Sequence, residues 1–308
     1  MAFHIKPGVW PTMITPFKED NTLDFDAIPK MCDWYIAHGC SGIFTVCQSS
    51  EMRFLSEQEK LDLAKCVVDS VDHRIQVVAS GHTTMPKAEQ YKAIENMMKT
   101  GVDAYVLVSN VLDPYNFGDE VFEENADDIF ARFPEIPFGI YECPFPYKRL
   151  VSTAFLDKYS HNGKLSFFKD TCCDYEMIRD RLHASMGTEL KLFNANAATF
   201  YDSVTHGAAG YNGIMANYHP ELYKWVIDHL ESRPEEAKLL ADFLTEAAMI
   251  EMRLYPVSAK YHMNLESIPM ALVSRSANQA AFDKNSRMEV DSLFALENLI
   301  CKQLDIEV

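Results

Sequence analysis

The sequence predicts a (β/α)8 TIM barrel followed by a C-terminal α-helical extension, and two observations carry that expectation. Short apolar runs alternate with amphipathic helical stretches at a period of roughly 20–35 residues, and eight such runs occur. Each run is continuously apolar rather than alternating, which marks strands buried on both faces, as in a parallel sheet. Beyond about residue 230 the alternation stops and only helical patterns remain. The expected division is therefore 1–231 for the barrel and 232–308 for the helical part. A doubly wound sheet satisfies the same alternation; the count of eight units is what favours the barrel.

The runs fall near residues 11–14, 42–46, 75–79, 104–108, 137–141, 165–169, 190–193 and 210–214. The helices between them carry start and stop signals. Asp24 caps a helix with Ile28, Met31, Cys32, Tyr35 and Ile36 on one face, and Gly39 follows as the stop. Ser56 with Glu59 forms a capping box, and Pro86 opens a third helix that Gly101 ends. Ser232 and Glu235 read as another capping box, for a helix with Leu240, Phe243, Leu244, Ala247 and Ile250 inward. Tyr255-Pro256 breaks that helix, and a last helix is expected near 290–303.

A chain of 308 residues, 48% hydrophobic and 24% charged, can build one large globular core. Its formal net charge of −17 repels phosphate backbones and anionic lipid, so neither nucleic acid nor a membrane surface is an expected partner. No apolar run approaches the roughly 20 residues of a membrane helix, and the start, from Met1 to Pro7, lacks the apolar core of a signal peptide. The eight cysteines show no C-x-x-C pair and no zinc-type spacing, which points to reduced, mostly buried thiols and a cytoplasmic location. The vicinal Cys172-Cys173 pair is read as core packing, and His206 and His219 as structural residues.

Lys169 ends the apolar run Leu165-Ser166-Phe167-Phe168-Lys169, and Tyr141 ends the run one unit earlier. Burial disfavours an ammonium ion, lowers the lysine pKa and makes the amine able to attack a carbonyl. Taken singly, the lysine also reads as a surface residue with a buried stem and the tyrosine as an aromatic cap on the core. Their convergence at the C-terminal mouth of one barrel, where barrel active sites lie, favours the chemical reading. The loop Gln48-Ser49-Ser50-Glu51 follows the second strand and Asn194-Ala195-Asn196 the seventh. Successive amides and hydroxyls in the first of these suit a carboxylate, although the same loop also serves as the entry to its helix.

These residues carry a resemblance. The segments Pro11-Thr-Met-Ile-Thr-Pro-Phe17 and Gly210-Tyr-Asn-Gly-Ile-Met-Ala-Asn217, with Cys47-Gln48-Ser49-Ser50-Glu51, Tyr141-Glu142-Cys143-Pro144 and Lys169-Asp170-Thr171, resemble the dihydrodipicolinate synthase/N-acetylneuraminate lyase family of pyruvate-dependent class I lyases. The resemblance covers nearly the whole chain. It implies that Lys169 forms a Schiff base with the keto carbon of a 2-oxo acid, that Tyr141 moves protons, and that Ser49, with Gln48, Ser50 and Asn212, binds substrate. Glu142, Asn196 and Tyr115 are further candidates. It also implies an aldehyde as second substrate, a homotetramer, and no metal or organic cofactor, since the lysine itself supplies the electrophile.

The departures from the family pattern are informative. Gln48 stands where relatives carry a relay hydroxyl, Leu112 where they carry a tyrosine lent across a subunit interface, and Pro146 where dihydrodipicolinate synthases carry a carboxylate-binding arginine. Tyr115, and Lys148 or Arg149, are the nearby substitutes. The acidic pair that sialic acid lyases use for hydroxyls falls on Ala197 and Ala198, and their serine on Ile214. A site without those partners rejects a heavily hydroxylated substrate. Neither dihydrodipicolinate synthesis nor sialic acid cleavage is therefore expected. Two alternatives accompany the lyase reading: dehydration of a 2-keto-3-deoxy sugar acid through the same imine, and a non-catalytic barrel that binds a 2-oxo acid.

Overall fold

The computed structural model describes residues 4–306, so Met1–Phe3, at the start of the segment compared with a signal peptide, lie outside the described residues. Eight strands form: β1 (Gly8–Val9), β2 (Gly42–Thr45), β3 (Gln76–Ala79), β4 (Ala104–Val108), β5 (Phe138–Tyr141), β6 (Leu165–Asp170), β7 (Lys191–Asn194) and β8 (Gly210–Tyr211). The strands from β2 to β8 each pair in parallel with the next, and β8 pairs with β1. Closure between β1 and β2 runs through the Thr12–Phe44 bridge, where the Met13 N–H donates to Phe44 O and the Phe44 N–H donates to Pro11 O, each at 3.0 Å. The architecture is the expected (β/α)8 TIM barrel.

The first strand differs from the sequence expectation. Its regular ladder lies at Gly8–Val9, not at 11–14. Pro11 has no N–H to donate, so the ladder cannot continue through it, and only the single bridge at Thr12 remains.

Helices α1 (Ala27–Ala37), α2 (Glu57–Val71), α3 (Lys87–Met98), the short α4 (Ser109–Leu112), α5 (Asp119–Arg132), α6 (Thr153–His161), α7 (Tyr175–Ala184), α8 (Phe200–Thr205) and α9 (Pro220–His229) surround the barrel. The α2 capping box forms as read: Ser56 Oγ accepts from the Glu59 N–H and Glu59 Oε2 accepts from the Ser56 N–H. Asp24 Oδ1 accepts from the Asp26 and Ala27 N–H groups, so it supports the approach to α1 while Asp26 holds the cap position.

The C-terminal part contains α10 (Pro234–Ala247), a 3₁₀ turn (Ala248–Met252), α11 (Val257–Leu265) and α12 (Lys284–Gln303). The Ser232–Glu235 capping box does not form. Pro234 takes the first helical position, which moves the cap to Arg233, whose guanidinium pairs with Glu236. The last helix begins six residues before the expected 290 because Asp283 Oδ1 caps it, accepting from the Ser286 N–H at 2.8 Å. Its first turns are polar, so hydrophobic periodicity gives no sign of them. Among the described residues no helix is long and apolar enough to cross a membrane.

Aromatic rings fill the barrel axis. Phe167 packs against Trp10 at 5.5 Å, Phe193 at 5.0 Å and Phe44 at 5.9 Å between ring centroids. This plug closes the barrel from below and forms the floor on which the residues at the C-terminal mouth stand.

Candidate active site

Strand register brings Lys169 and Tyr141 side by side, as direct partners on β6 and β5. Lys169 is only 4% exposed, and its Nζ lies 4.5 Å from the Tyr141 ring centroid and 5.6 Å from that of Phe44. Burial among these rings lowers its pKa to about 8, against the opposing pull of Cys47, Cys143 and Glu251. Burial, with Cys143 and Cys47 adding to it, pushes the Tyr141 phenol well above its ordinary value. At neutral pH the pair therefore offers an amine close to deprotonation beside a phenol that keeps its proton.

Both side chains open into a cavity of about 280 Å³ at the C-terminal mouth. Gln48, Ser49 and Asn196 line it as well. Ser49 Oγ donates to Thr12 Oγ1 at 3.1 Å, and Gln48 Oε1 accepts from the Cys143 thiol at 3.6 Å. Asn196 Oδ1 accepts from the Thr199 N–H at 3.1 Å, which shapes the loop after β7.

Four other sequence candidates lie off the cavity. Ser50 Oγ donates to Met13 O at 2.6 Å and accepts from the Cys47 N–H, so its hydroxyl folds the loop. Asn212 donates from Nδ2 to Trp10 O at 2.6 Å and fastens β8 to the chain after β1. Tyr115 is 72% exposed and packs on Phe117. Glu142 follows Tyr141 on the strand and so points to the opposite face. There it is fully buried, accepting from Arg181 Nη2 at 2.6 Å and from the Val151 and Thr171 N–H groups. Burial lifts its pKa to about 7 against the pull of Arg181. Of the two basic substitutes, Arg149 is taken up by Asp113 and Asp119, whereas Lys148 reaches the cavity rim, where its Nζ donates to Thr171 O.

The cysteine reading needs one correction. Cys172 is half-buried and packs against the core as read, but Cys173 is exposed and lines the cavity. Cys173 has φ +61°, and this left-handed turn after β6 directs the chain outward at the rim.

The cavity also takes residues from beyond the barrel that sequence reasoning missed: Glu251, Tyr255 and Ser276. The C-terminal segment is tied over the mouth by Glu51 of the β2 loop. Glu51 Oε2 accepts from Ser274 Oγ and from the Arg275 and Ser276 N–H groups at 2.7–2.8 Å, and Oε1 accepts from Lys260 Nζ at 3.2 Å. Burial raises the Glu251 carboxyl to about 7, with Lys169 pulling the other way. The interruption of helical periodicity around 248–256 was the available signal, and it reads as a simple helix break.

Among the described residues, His262, Glu266 and Glu297 bring three potential metal-ligand atoms within 4.8 Å of one another. None of them lines the cavity, and the Glu297 carboxylate is already engaged by His219 and His262.

A lysine and a tyrosine thus lie buried side by side at the mouth of a closed (β/α)8 barrel. The dihydrodipicolinate synthetase family model matches residues 6–279, and the chain belongs to that family. The family comprises lyases and aldolases that make or break carbon–carbon bonds, and this chain is an enzyme of that class. A 4-hydroxy-tetrahydrodipicolinate synthase of Staphylococcus haemolyticus is 24% identical over 282 residues, spanning 87% of this chain and 92% of the relative. A monomeric dihydrodipicolinate synthase variant superposes with TM-score 0.86 at 15% identity, covering 97% of this chain and 98% of its own. YagE, a prophage protein from E. coli K12 solved in complex with pyruvate, superposes with TM-score 0.81 at 18% identity, covering 95% and 99%.

Proposed function

We propose that this enzyme is a Schiff-base lyase or aldolase acting on a pyruvate-type 2-oxo acid, with an aldehyde as the second substrate or product. The observation that carries the reading is Lys169, a lysine held at about 8 by burial beside Tyr141 in a closed-bottomed cavity. The neutral amine attacks the keto carbon, and loss of water leaves a protonated imine. That imine nitrogen is an electron sink, which stabilises the enamine formed when a C–C bond breaks or a C3 proton leaves. The Tyr141 phenol donates to the oxygen that departs as water, and Ser49 with the adjoining loop amides receives the carboxylate. The pyruvate bound in YagE, a protein of the same fold, supports a 2-oxo acid here.

Pro146 and the engagement of Arg149 by two aspartates leave Lys148 as the cation at the cavity rim, which weighs against the substrate of the dihydrodipicolinate synthases. Ala197, Ala198 and Ile214 weigh against sialic acid. The dehydratase alternative drew on Glu142 as a pocket acid, and its sequestration behind the strands favours the aldol reading. Eight free cysteines fit a cytoplasmic setting. Tyr115 and Phe117, both 72% exposed, give a surface for self-association into the family's tetramer, which sedimentation of the full chain measures.

Borohydride reduction in the presence of pyruvate tests the reading. The expected result is a stable mass adduct on the peptide containing Lys169; an unmodified peptide would overturn it.

A further inference from the structure

Lys169 and Tyr141 leave one requirement of imine chemistry unmet. Interconverting a pyruvate iminium and its enamine moves a proton on and off C3, and that step needs a base. Tyr141 is a poor one, because burial keeps its phenol protonated far above neutrality. The same holds for Tyr255, whose phenol also lines the cavity. Lys148 lies at the rim, where it is held to Thr171 O, and Lys169 is committed to the imine.

We propose that Glu251 is the acid–base group of this site, the carboxylate that takes the C3 proton from the Lys169 iminium and returns it to the enamine. The inference rests on the imine reading above. Glu251 is the one carboxylate among the described cavity-lining residues. It has no hydrogen-bond partner among the described residues, whereas the buried carboxylates around it are each saturated: Glu51 by the 274–276 turn and Lys260, Glu142 and Asp170 by Arg181. A carboxylate held in a half-buried wall without a partner costs stability, which is the mark of a group kept for a ligand. Its position is secured on both sides. The 3₁₀ turn that carries it continues α10, and Tyr255, four residues on, accepts from Asn217 Nδ2 at 3.3 Å.

The electrostatics fit the step. The groups that sense the Glu251 charge are Lys169 from β6, Tyr211 from β8, Tyr218 beyond it, Tyr223 from α9 and Tyr255 from its own segment. All four phenols are raised by burial, so Lys169 is the only cation in this set. Burial brings Glu251 to about 7, close to the working pH of a general base. In the step itself, the C3–H bond breaks and its electron pair becomes the C2=C3 bond. The C2=N pair returns to nitrogen, and the proton goes to a Glu251 oxygen. An iminium cation and a carboxylate anion become a neutral enamine and a neutral acid, a charge cancellation that a poorly solvated cavity favours. The reverse transfer regenerates the iminium, which water hydrolyses to pyruvate and the Lys169 ammonium.

Pyruvate alone suffices as the probe, with deuterium exchange of its methyl group followed by NMR in D2O alongside borohydride trapping. Glu251→Gln is expected to retain the trapped adduct on Lys169, which also reports a folded site, while exchange slows at least about 100-fold. At saturating pyruvate, where imine formation does not limit exchange, the rise in exchange rate with pH around 7 in the wild type is expected to vanish, and Glu251→Asp to restore part of the rate. Wild-type exchange in a trapped Glu251→Gln protein would overturn the inference, and so would loss of trapping in that variant alone. A wild-type protein that pyruvate and borohydride leave unmodified would overturn the imine reading, and this inference with it.

Discussion

The Arg181 guanidinium donates to Glu142 Oε1 at 2.6 Å, with both side chains fully buried behind the strands that present Tyr141 and Lys169 to the cavity. A second bond of 2.6 Å runs from Arg181 Nη1 to Asp170. One arginine on α7 thus clamps the residues that follow Tyr141 and Lys169, and so holds β5 and β6 in register. Removing it leaves two carboxylates buried without a counter-charge. Arg181→Met is expected to destabilise the protein by about 3–5 kcal/mol, read from urea denaturation midpoints. The double change Arg181→Met with Glu142→Gln is expected to recover part of that loss, because one of the stranded charges is gone. A single variant as stable as wild type would show that the clamp carries no stability.

Lys169 is expected to be a stability liability. Its folded pKa, about 8, lies below the 10.5 of a lysine in water, so the folded protein binds this proton more weakly than the unfolded chain does. Between pH 8 and 10.5 the unfolded state holds more protons, and stability from this group rises with pH; below pH 8 the full penalty applies. The shift corresponds to about 3 kcal/mol. Lys169→Met therefore gains up to that amount at pH 7 while losing all borohydride trapping, a trade of stability against function. Thermal melts of the two proteins at pH 7 and pH 10 check it: the difference shrinks at the higher pH.

Strands β2 to β8 and the pairing of Lys169 with Tyr141 were legible because continuous apolar runs mark strands buried on both faces of a parallel barrel. Glu142 was legible in principle. Strand side chains alternate, so once Tyr141 faces the cavity its successor faces the helices. Sequence order does not encode the fold-back of the C-terminal segment across the mouth. Ser276 reaches the cavity through Glu51, more than two hundred residues away, Tyr255 is held by Asn217, and nothing in their local pattern announces those bonds. The first strand and the helix after Ser232 were displaced by Pro11 and Pro234, whose missing N–H groups outweighed periodicity and capping preference.

Glu51 is expected to control the far wall of the site. Its carboxylate gathers the Ser274 hydroxyl, two backbone N–H groups and the buried Lys260 ammonium. Glu51→Ala strands that lysine and releases the 274–276 turn, at an expected cost of about 3–5 kcal/mol. Because Ser276 of the C-terminal segment lines the cavity while Lys169 stands on β6, the loss should fall on pyruvate affinity more than on imine chemistry. Trapping at saturating pyruvate is expected to persist, with the pyruvate concentration for half-maximal trapping raised severalfold. Unchanged half-saturation would detach Glu51 from the site.

The pH dependence of trapping follows from the same buried amine. Only the neutral form attacks a carbonyl, so below pH 8 the rate at limiting pyruvate is expected to rise about tenfold per pH unit and to level near 8. An ordinary exposed lysine would keep rising past pH 10. Glu251 is one of the groups that hold the Lys169 pKa up. Glu251→Gln removes its charge and is expected to move the inflection to lower pH, the direction set by losing an anion beside an ammonium. Glu142→Gln acts behind the wall, outside the groups that shift Lys169, and is expected to leave the inflection in place. Rates of adduct formation measured by mass spectrometry across pH 6–10 distinguish these outcomes, and an inflection above pH 10 in the wild type would place Lys169 in water rather than in the pocket.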